Sequence, residues 1–253
     1  ALGGGAGGRE LMFYDQRGGG RSKTHTQDPI TWETQVRDLV DVIREFGLHE
    51  PTIVGYSFGG LLALLFAADA ARDRTLPQPA ALVLIDPAPI ARRYRDVFER
   101  EFARRQSGPD VTRLRNELNA SGLRASDPDR FRQRTFELSV AGYFADPDAA
   151  RDLTPFRVAA RIQRSVWESL GAFDLAADGR LASIRVPTLI IHGRQDPIPL
   201  ASSEECANVM GAQLVVIEHC GHVPYVEQPA VLFGAVDSFL RSRDRLPRIA
   251  ESE

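Results

Sequence analysis

The sequence predicts an α/β fold in which a mostly parallel sheet is covered on both faces by helices. Short apolar runs ending in polar loops recur along the chain, at Pro51 to Val54, Ala81 to Ile85, Thr188 to Ile191 and Leu214 to Ile217, and strands buried on both faces read this way. Helical patterns alternate with them, as parallel pairing requires. The helix predicted from Leu61 to about Ala71 has almost no polar face, so it has to be buried. With 253 residues and 43% hydrophobic side chains, the chain can bury one sizeable core.

Taken in order, Leu11-Met12-Phe13-Tyr14 reads as a short buried strand, ended by Asp15-Gln16-Arg17 and the glycines at 18 to 20. Asp28-Pro29 is a good helix start. After it Trp32, Val36, Leu39, Val40, Ile43 and Phe46 recur at threes and fours until Gly47 stops an amphipathic helix. The strand at 51–54 leads through Gly55-Tyr56-Ser57-Phe58-Gly59-Gly60 into the apolar helix. Between Pro87 and about Ser183 the character changes to arginine-rich helical sequence with no convincing strand, in which Tyr94, Val97, Phe98 and Phe102 keep helical spacing. The expected organisation is a core over 1–86, a helical cap over 87–183 and a second part of the core over 184–253.

The 31 Lys and Arg nearly balance the 34 Asp and Glu, so no field exists to gather nucleic acid or an anionic membrane surface. The arginines of the cap, interleaved with acids, read as a solvated face. The expected partner is a small molecule or short peptide. Cys206 and Cys220 are the only cysteines; they have no metal-ligand spacing and read as free thiols in a reducing, cytoplasmic setting. The longest apolar run, Leu61 to Ala68, is far short of the roughly 18 residues of a spanning helix. The chain opens on Ala1 and a glycine-rich stretch, Gly3 to Gly8, without a signal-peptide pattern, and the expectation is that an amino-terminal part is missing.

Gly55-Tyr56-Ser57-Phe58-Gly59 is a G-x-S-x-G pattern. On composition it arises by chance in roughly one chain in ten of this length, but here it lies between an apolar strand and an apolar helix. That context is the one in which a sharp turn exposes a serine hydroxyl, with side chains at 55 or 59 expected to collide across the turn. A serine needs a base to take its proton and an acid to hold that base in the right tautomer. Asp196 and His222 follow the strands at 188–191 and 214–217, at the carboxyl edge where open parallel sheets place their sites. The sequence therefore nominates Ser57 as nucleophile, Asp196 as orienting acid, His222 as base and the backbone NH of Phe58 as an oxyanion donor. Asp86 also ends a strand and competes for the acid's role; its alternative is to cap the turn before Pro87. His219 reads as a packed or hydrogen-bonding histidine, His192 as a loop former, His25 and His49 as surface residues, and Cys220 as a small packed side chain. No metal or organic cofactor is needed for this chemistry.

Four motifs in this order, Asp15-Gln16-Arg17-Gly18-Gly19-Gly20-Arg21-Ser22, the turn at 55–60, Pro187 to Asp196 and Gly221-His222, resemble the α/β-hydrolase superfamily. The first is particularly similar to proline iminopeptidases. The resemblance implies an α/β-hydrolase fold with a cap, and a serine hydrolase releasing amino-terminal proline. A carboxylesterase or lactonase acting on small esters is the alternative, and a non-catalytic ligand-binding member of the fold a second one. A serine at 57 rather than an aspartate separates the chain from dehalogenase and epoxide-hydrolase relatives. The resemblance also implies a His-Gly loop before residue 11 that supplies a second oxyanion donor. This chain starts too late to contain it, and Gly3 to Gly8 is either a substitute or a loop leaving the preceding helix. For the iminopeptidases, acids in the cap hold the substrate amine: Glu168, beside Trp167, and Glu137 are candidates, and both also read as helix-surface carboxylates. Phe131, Phe136, Tyr143, Phe144, Trp167 and Phe173 line either an acyl pocket or the cap's own core.

Overall fold

Four strands, β1 (Thr52–Tyr56), β2 (Ala81–Ile85), β3 (Thr188–Gly193) and β4 (Gln213–Ile217), pair in parallel in the order β1-β2-β3-β4 in the computed structural model, which describes residues 9–25, 28–153 and 160–244. The strands are short and apolar because both faces are covered. Leu82 and Leu84 of β2 and Ile190 of β3 join a cluster with α1 (Trp32–Glu45), α2 (Phe58–Arg72) and α9 (Leu200–Met210). The alternate residues Ala81, Val83, Leu189 and Ile191 pack on the opposite face with Ile217 and with Leu232, Val236 and Phe239 of α11 (Pro229–Asp244). The period of two along each strand thus divides one sheet between two cores. The helix without a polar face is α2, and every residue from Gly60 to Ala68 is buried.

Between β2 and β3 run α3 (Arg92–Gln106), α4 (Pro109–Ala120), α5 (Leu123–Ser126), α6 (Pro128–Val140), α7 (Ala160–Leu170) and α8 (Arg180–Ser183), with 3₁₀ turns at Ala141–Tyr143 and Pro147–Asp152. Among the described residues this stretch holds no strand, only an isolated bridge between Ala91 and Asp174. Its arginines are spent on neighbouring acids, as in Arg92–Asp96, Arg95–Glu99, Arg105–Glu101 and Arg113–Glu117. Exposed pairs of this kind are each worth about 0–1 kcal/mol, so they solubilise helices more than they hold the fold. Among the described residues no helix is long and apolar enough to cross a membrane.

Three local expectations need correction. Leu11 to Tyr14 forms no strand: Leu11 and Phe13 are 41% and 81% exposed, and only Tyr14 packs on the core. A short apolar run says nothing about whether a neighbour is there to complete its hydrogen bonds. The first helix begins at Trp32, with Thr31 as its N-cap, rather than at Asp28-Pro29, because Thr31 and Thr34 form a reciprocal capping box, and Phe46 ends outside it, exposed. The Asp15 to Ser22 turn docks on α1, where Arg17 pairs with Asp38 and its carbonyl accepts from Gln35 Nε2 at 3.1 Å.

Leu64, fully buried in α2, sets the scale of this core: Leu64→Ala should cost about 2–5 kcal/mol, read as a lower urea midpoint. The exposed Val231→Ala should stay within about 0.5 kcal/mol.

Candidate active site

Ser57 occupies the N-cap of α2, where a serine ordinarily adopts extended backbone and bonds the first-turn N–H groups. Here its φ and ψ are 53° and −120° and its side chain makes no cap bond. The hydroxyl is free to face His222, whose Nε2 lies 2.9 Å from Ser57 Oγ. The positive φ is held by the backbone around it: Ser57 N donates to Ile85 O at 2.9 Å, and Ser57 O accepts from Gly60 N and Ala88 N, each at 2.9 Å. A Cβ at Gly55 would lie 2.3 Å from Gly59 O, so glycine is required there. The same expectation for Gly59 is wrong, since a Cβ at that position meets nothing within 4 Å; the second tight position is Gly60, against Pro87 at 2.9 Å. The Phe58 NH heads α2 and belongs to the first turn, whose N–H groups have no intrahelical acceptor. Gly3 to Gly8, the candidate for a second donor, lie outside the described residues.

The loop carrying His222 is fixed on all sides. His222 N donates to Tyr143 O at 2.7 Å, its own carbonyl accepts from the Tyr56 hydroxyl at 2.8 Å, and the imidazole stacks on the Tyr143 ring with centroids 4.9 Å apart. Glu227 of α10 (Pro224–Glu227) accepts from Gly221 N at 2.9 Å and from Ala145 N at 2.7 Å, tying that loop to the segment after Tyr143. A Cβ on Gly221 would lie 2.2 Å from Tyr143 O, and one on Gly193 would lie 2.0 Å from Gly221 O. These two glycines let three backbone segments meet.

Across the Gly193–Gly221 contact lies Asp196. Its Oδ2 accepts from His222 Nδ1 at 2.7 Å and its Oδ1 from Ile198 N at 2.7 Å. Gln195 locks the two loops, donating from its N to Cys220 O at 2.8 Å and accepting from Cys220 N at 2.9 Å. Burial raises the Asp196 carboxyl, against which its hydrogen bonds to Asp86 and Ile198 pull it down. Burial likewise lowers His222 from its ordinary 6.5, with the negative charge of the neighbouring acids acting the other way. Asp86 neither serves as the acid facing the imidazole nor caps its own turn; it accepts from Gly193 N at 2.7 Å and lies beneath the acid.

Asp86, His192 and Asp196 place ligand atoms within 4.8 Å of one another, but this set does not fit a cation. His192 Nε2 faces Ile198 O at 3.1 Å and must donate there, while Nδ1 accepts from the Ser203 hydroxyl at 2.9 Å, leaving no lone pair for a metal. His192 is thus a buried strand residue rather than a loop former. His219 is exposed at a turn with φ of 53°, not packed, and His25 and His49 are exposed. Burial raises both thiols, Cys206 to about 12 and Cys220 further, so neither is a nucleophile.

The cap aromatics separate by position. Phe131, Phe136, Phe144 and Phe173 pack in core clusters. Tyr143 lies on His222, with Phe102 4.4 Å behind it, and Trp167 meets the Phe58 ring edge-on at 5.8 Å. Glu137 is buried and paired with Arg134; Glu168 is exposed. A surface cavity lined by Trp32, Leu170, Phe173, Asp174 and Arg180 contains no member of the Ser57 constellation.

A strained serine at a strand–helix turn, reached by a histidine that an acid holds from behind, is a geometry compatible with a catalytic triad. The profile of the alpha/beta hydrolase family matches residues 2–235. The chain belongs to this family. The hydrolase is 24% identical over 256 residues to the proline iminopeptidase of Lactobacillus delbrueckii subsp. bulgaricus, covering 94% of this chain and 82% of that one. It is 26% identical over 245 residues to the 2-hydroxymuconate semialdehyde hydrolase of Pseudomonas sp. (strain CF600), covering 93% and 78%. The fold matches the crystal structure of proline iminopeptidase from Mycobacterium smegmatis with a TM-score of 0.60, at 18% identity, over 91% of this hydrolase and 79% of that chain. At these identities the family is shared while named activities diverge.

Sequence reasoning missed Tyr56, Glu227 and the pairing of Gly193 with Gly221. Tyr56 and Gly221 stood inside motifs already singled out, but nothing local marked what they touch.

Two outcomes follow for hydrolysis of p-nitrophenyl acetate. Activity needs neutral His222, so it is present above the histidine's pKa and lost as pH falls through it; since burial lowers that pKa, the acid limb of kcat/KM should lie below pH 6.5. Gly221→Ala must push the histidine loop off Tyr143, and a shift of order 1 Å should cost about 100-fold in kcat.

Proposed function

We propose that this hydrolase cleaves an amide or ester through an acyl-enzyme, with Ser57 as nucleophile, His222 as general base and Asp196 as the residue that orients the base. The observation that carries the reading is the unbroken relay from Ser57 Oγ to His222 Nε2 at 2.9 Å and from His222 Nδ1 to Asp196 Oδ2 at 2.7 Å. His222 takes the hydroxyl proton as Ser57 Oγ attacks the carbonyl carbon, Asp196 stabilises the imidazolium, and the Phe58 NH receives the oxyanion. His222 then returns the proton to the leaving group. Water, deprotonated by the same histidine, releases the acid and regenerates Ser57.

The leading substrate is a short peptide or amide with amino-terminal proline. Similarity to proline iminopeptidases along 94% of the chain supports it, and Phe58, Trp167 and Tyr143 offer aromatic faces for a flat ring. Of the two candidate acids for the amine, Glu137 is committed to Arg134, which leaves Glu168. A small ester or lactone is the second reading. It is favoured by the Arg95 guanidinium, 4.3 Å above the Trp167 ring, which places a cation where an ammonium would have to approach. The free, buried thiols Cys206 and Cys220 support a reducing, cytoplasmic setting.

Fluorophosphonate labelling of Ser57, together with hydrolysis of proline β-naphthylamide beside p-nitrophenyl acetate and butyrate, tests the proposal. Ser57→Ala should abolish labelling and lower turnover by on the order of 10⁴ or more; near-normal turnover would sink the assignment, and a wild type that does not label would point to a ligand-binding member of the fold. Amide cleavage lost in Glu168→Gln supports the aminopeptidase, whereas ester cleavage alone selects the second reading.

A further inference from the structure

Under the acid that faces His222 lies a second carboxyl group that the reaction does not use. Asp86, the residue after β2, is fully buried, with φ of 42° and its N–H donating to Ile191 O at 2.8 Å. Few residues other than glycine, asparagine and aspartate accept that backbone conformation. Asp86 Oδ1 accepts from Gly193 N at 2.7 Å, and Oδ2, equally buried, receives no hydrogen bond from any N–H or O–H among the described residues. The carboxyl groups of Asp86 and Asp196 come within 4.8 Å of each other in the same dry space.

Two carboxylates so placed cannot both ionise, so the pair holds one proton. Its place is decided by the donors around each acid. Asp196 receives two N–H bonds, from Ile198 and from His222 Nδ1, and is the better solvated anion. Asp86 receives one, and its other oxygen needs an acceptor for a proton. His192 cannot be that acceptor, because Nε2 is bound to Ile198 O and Nδ1 to the Ser203 hydroxyl. Asp196 remains.

We propose that Asp86 is a neutral carboxylic acid whose proton is donated in a hydrogen bond to Asp196, making it a positioning residue that keeps the pair's single negative charge on the acid facing His222. This rests on the serine-hydrolase reading for its catalytic consequence, though not for where the proton sits. Burial and then the nearness of Asp196 hold the Asp86 carboxyl well above the usual carboxylate range; burial raises Asp196 as well, and its hydrogen bonds to Asp86 and Ile198 oppose that rise. The other ionisable groups in reach of the pair are His222, Tyr56, Tyr143, Cys220, Glu227 and Arg105; burial raises the two tyrosines and the thiol, so these stay neutral, while Arg105 pulls Asp196 down and Glu227 pushes it up. No net proton moves in this arrangement during turnover. As His222 becomes an imidazolium, the anion opposite it is already formed, and the Asp86 O–H spreads its charge.

The test combines infrared difference spectroscopy with two variants. The spectrum of wild type minus Asp86→Asn, at pH 7 to 8, should contain the C=O band of a protonated carboxylic acid that shifts in D₂O. Asp86→Ala, which removes the donor, should lower kcat for p-nitrophenyl acetate by about 10- to 100-fold, the rate equivalent of one hydrogen bond to a charged group, with KM little changed. Asp86→Asn should rescue most of that loss, because its amide offers an N–H to Asp196 and a carbonyl to Gly193, and should leave the acid limb of the pH profile in place. Absence of the band overturns the proposal. So does an acid limb in Asp86→Asn displaced downward by about one unit, the mark of a lost negative charge beside His222. If Asp86→Ala does not fold, the asparagine variant and the band decide. A wild type that neither turns over nor labels at Ser57 overturns the hydrolase reading instead, and the band still reports the proton.

Discussion

At Ser57 a strand has to stop and a buried helix has to begin within a single residue, and the positive φ this requires is paid for by its surroundings. Ser57 is locked to β2 through Ile85 and to the segment after β2 through Ala88, while α2 behind it is buried along most of its length. Neither the strand nor the helix can relax without breaking the core. The strain therefore persists, and the serine side chain, denied the capping role it would take at an ordinary helix start, is left pointing at the histidine.

The base and the acid are held by a second constraint, the close meeting of three backbone segments. Gly193 and Gly221 leave no room for side chains between the loop after β3, the loop after β4 and the turn at Tyr143. Hydrogen bonds from Gln195, Glu227 and Tyr56 close that arrangement. Because Tyr143 and Ala145 lie in the helical insertion, its position and that of His222 are coupled directly. Arg105 of α3 adds a further tie, donating to Gln195 O at 2.5 Å. A movement of the insertion that changed access to Ser57 would also be felt at His222.

The electrostatics follow from how dry this meeting point is. Asp86, Asp196 and His222 are all buried, so each charge is costly and depends on the few donors that reach it. The polar groups are nearly all satisfied. His192 spends both nitrogens on neighbours and serves the fold, although its distance from the acids alone would suggest a ligand set.

The sequence by itself determined the fold class, the apolar strands β1 to β4 and the apolar helix α2, and it nominated Ser57, Asp196 and His222 with Asp86 as a competing acid, because each is marked locally by hydrophobic period or by its place after a strand. It was silent or wrong where the outcome depends on a partner distant in the chain. Leu11 to Tyr14 has the apolar content of a strand without a neighbour that makes it one, Gly59 shares a motif with Gly55 but not its crowding, and Asp86 and Asp196 look alike at the ends of their strands. Only the tertiary structure decided between those two acids, since the choice depends on which carboxyl meets the imidazole and which is left with a single N–H. That is a matter of distances across three loops, and no local pattern encodes it.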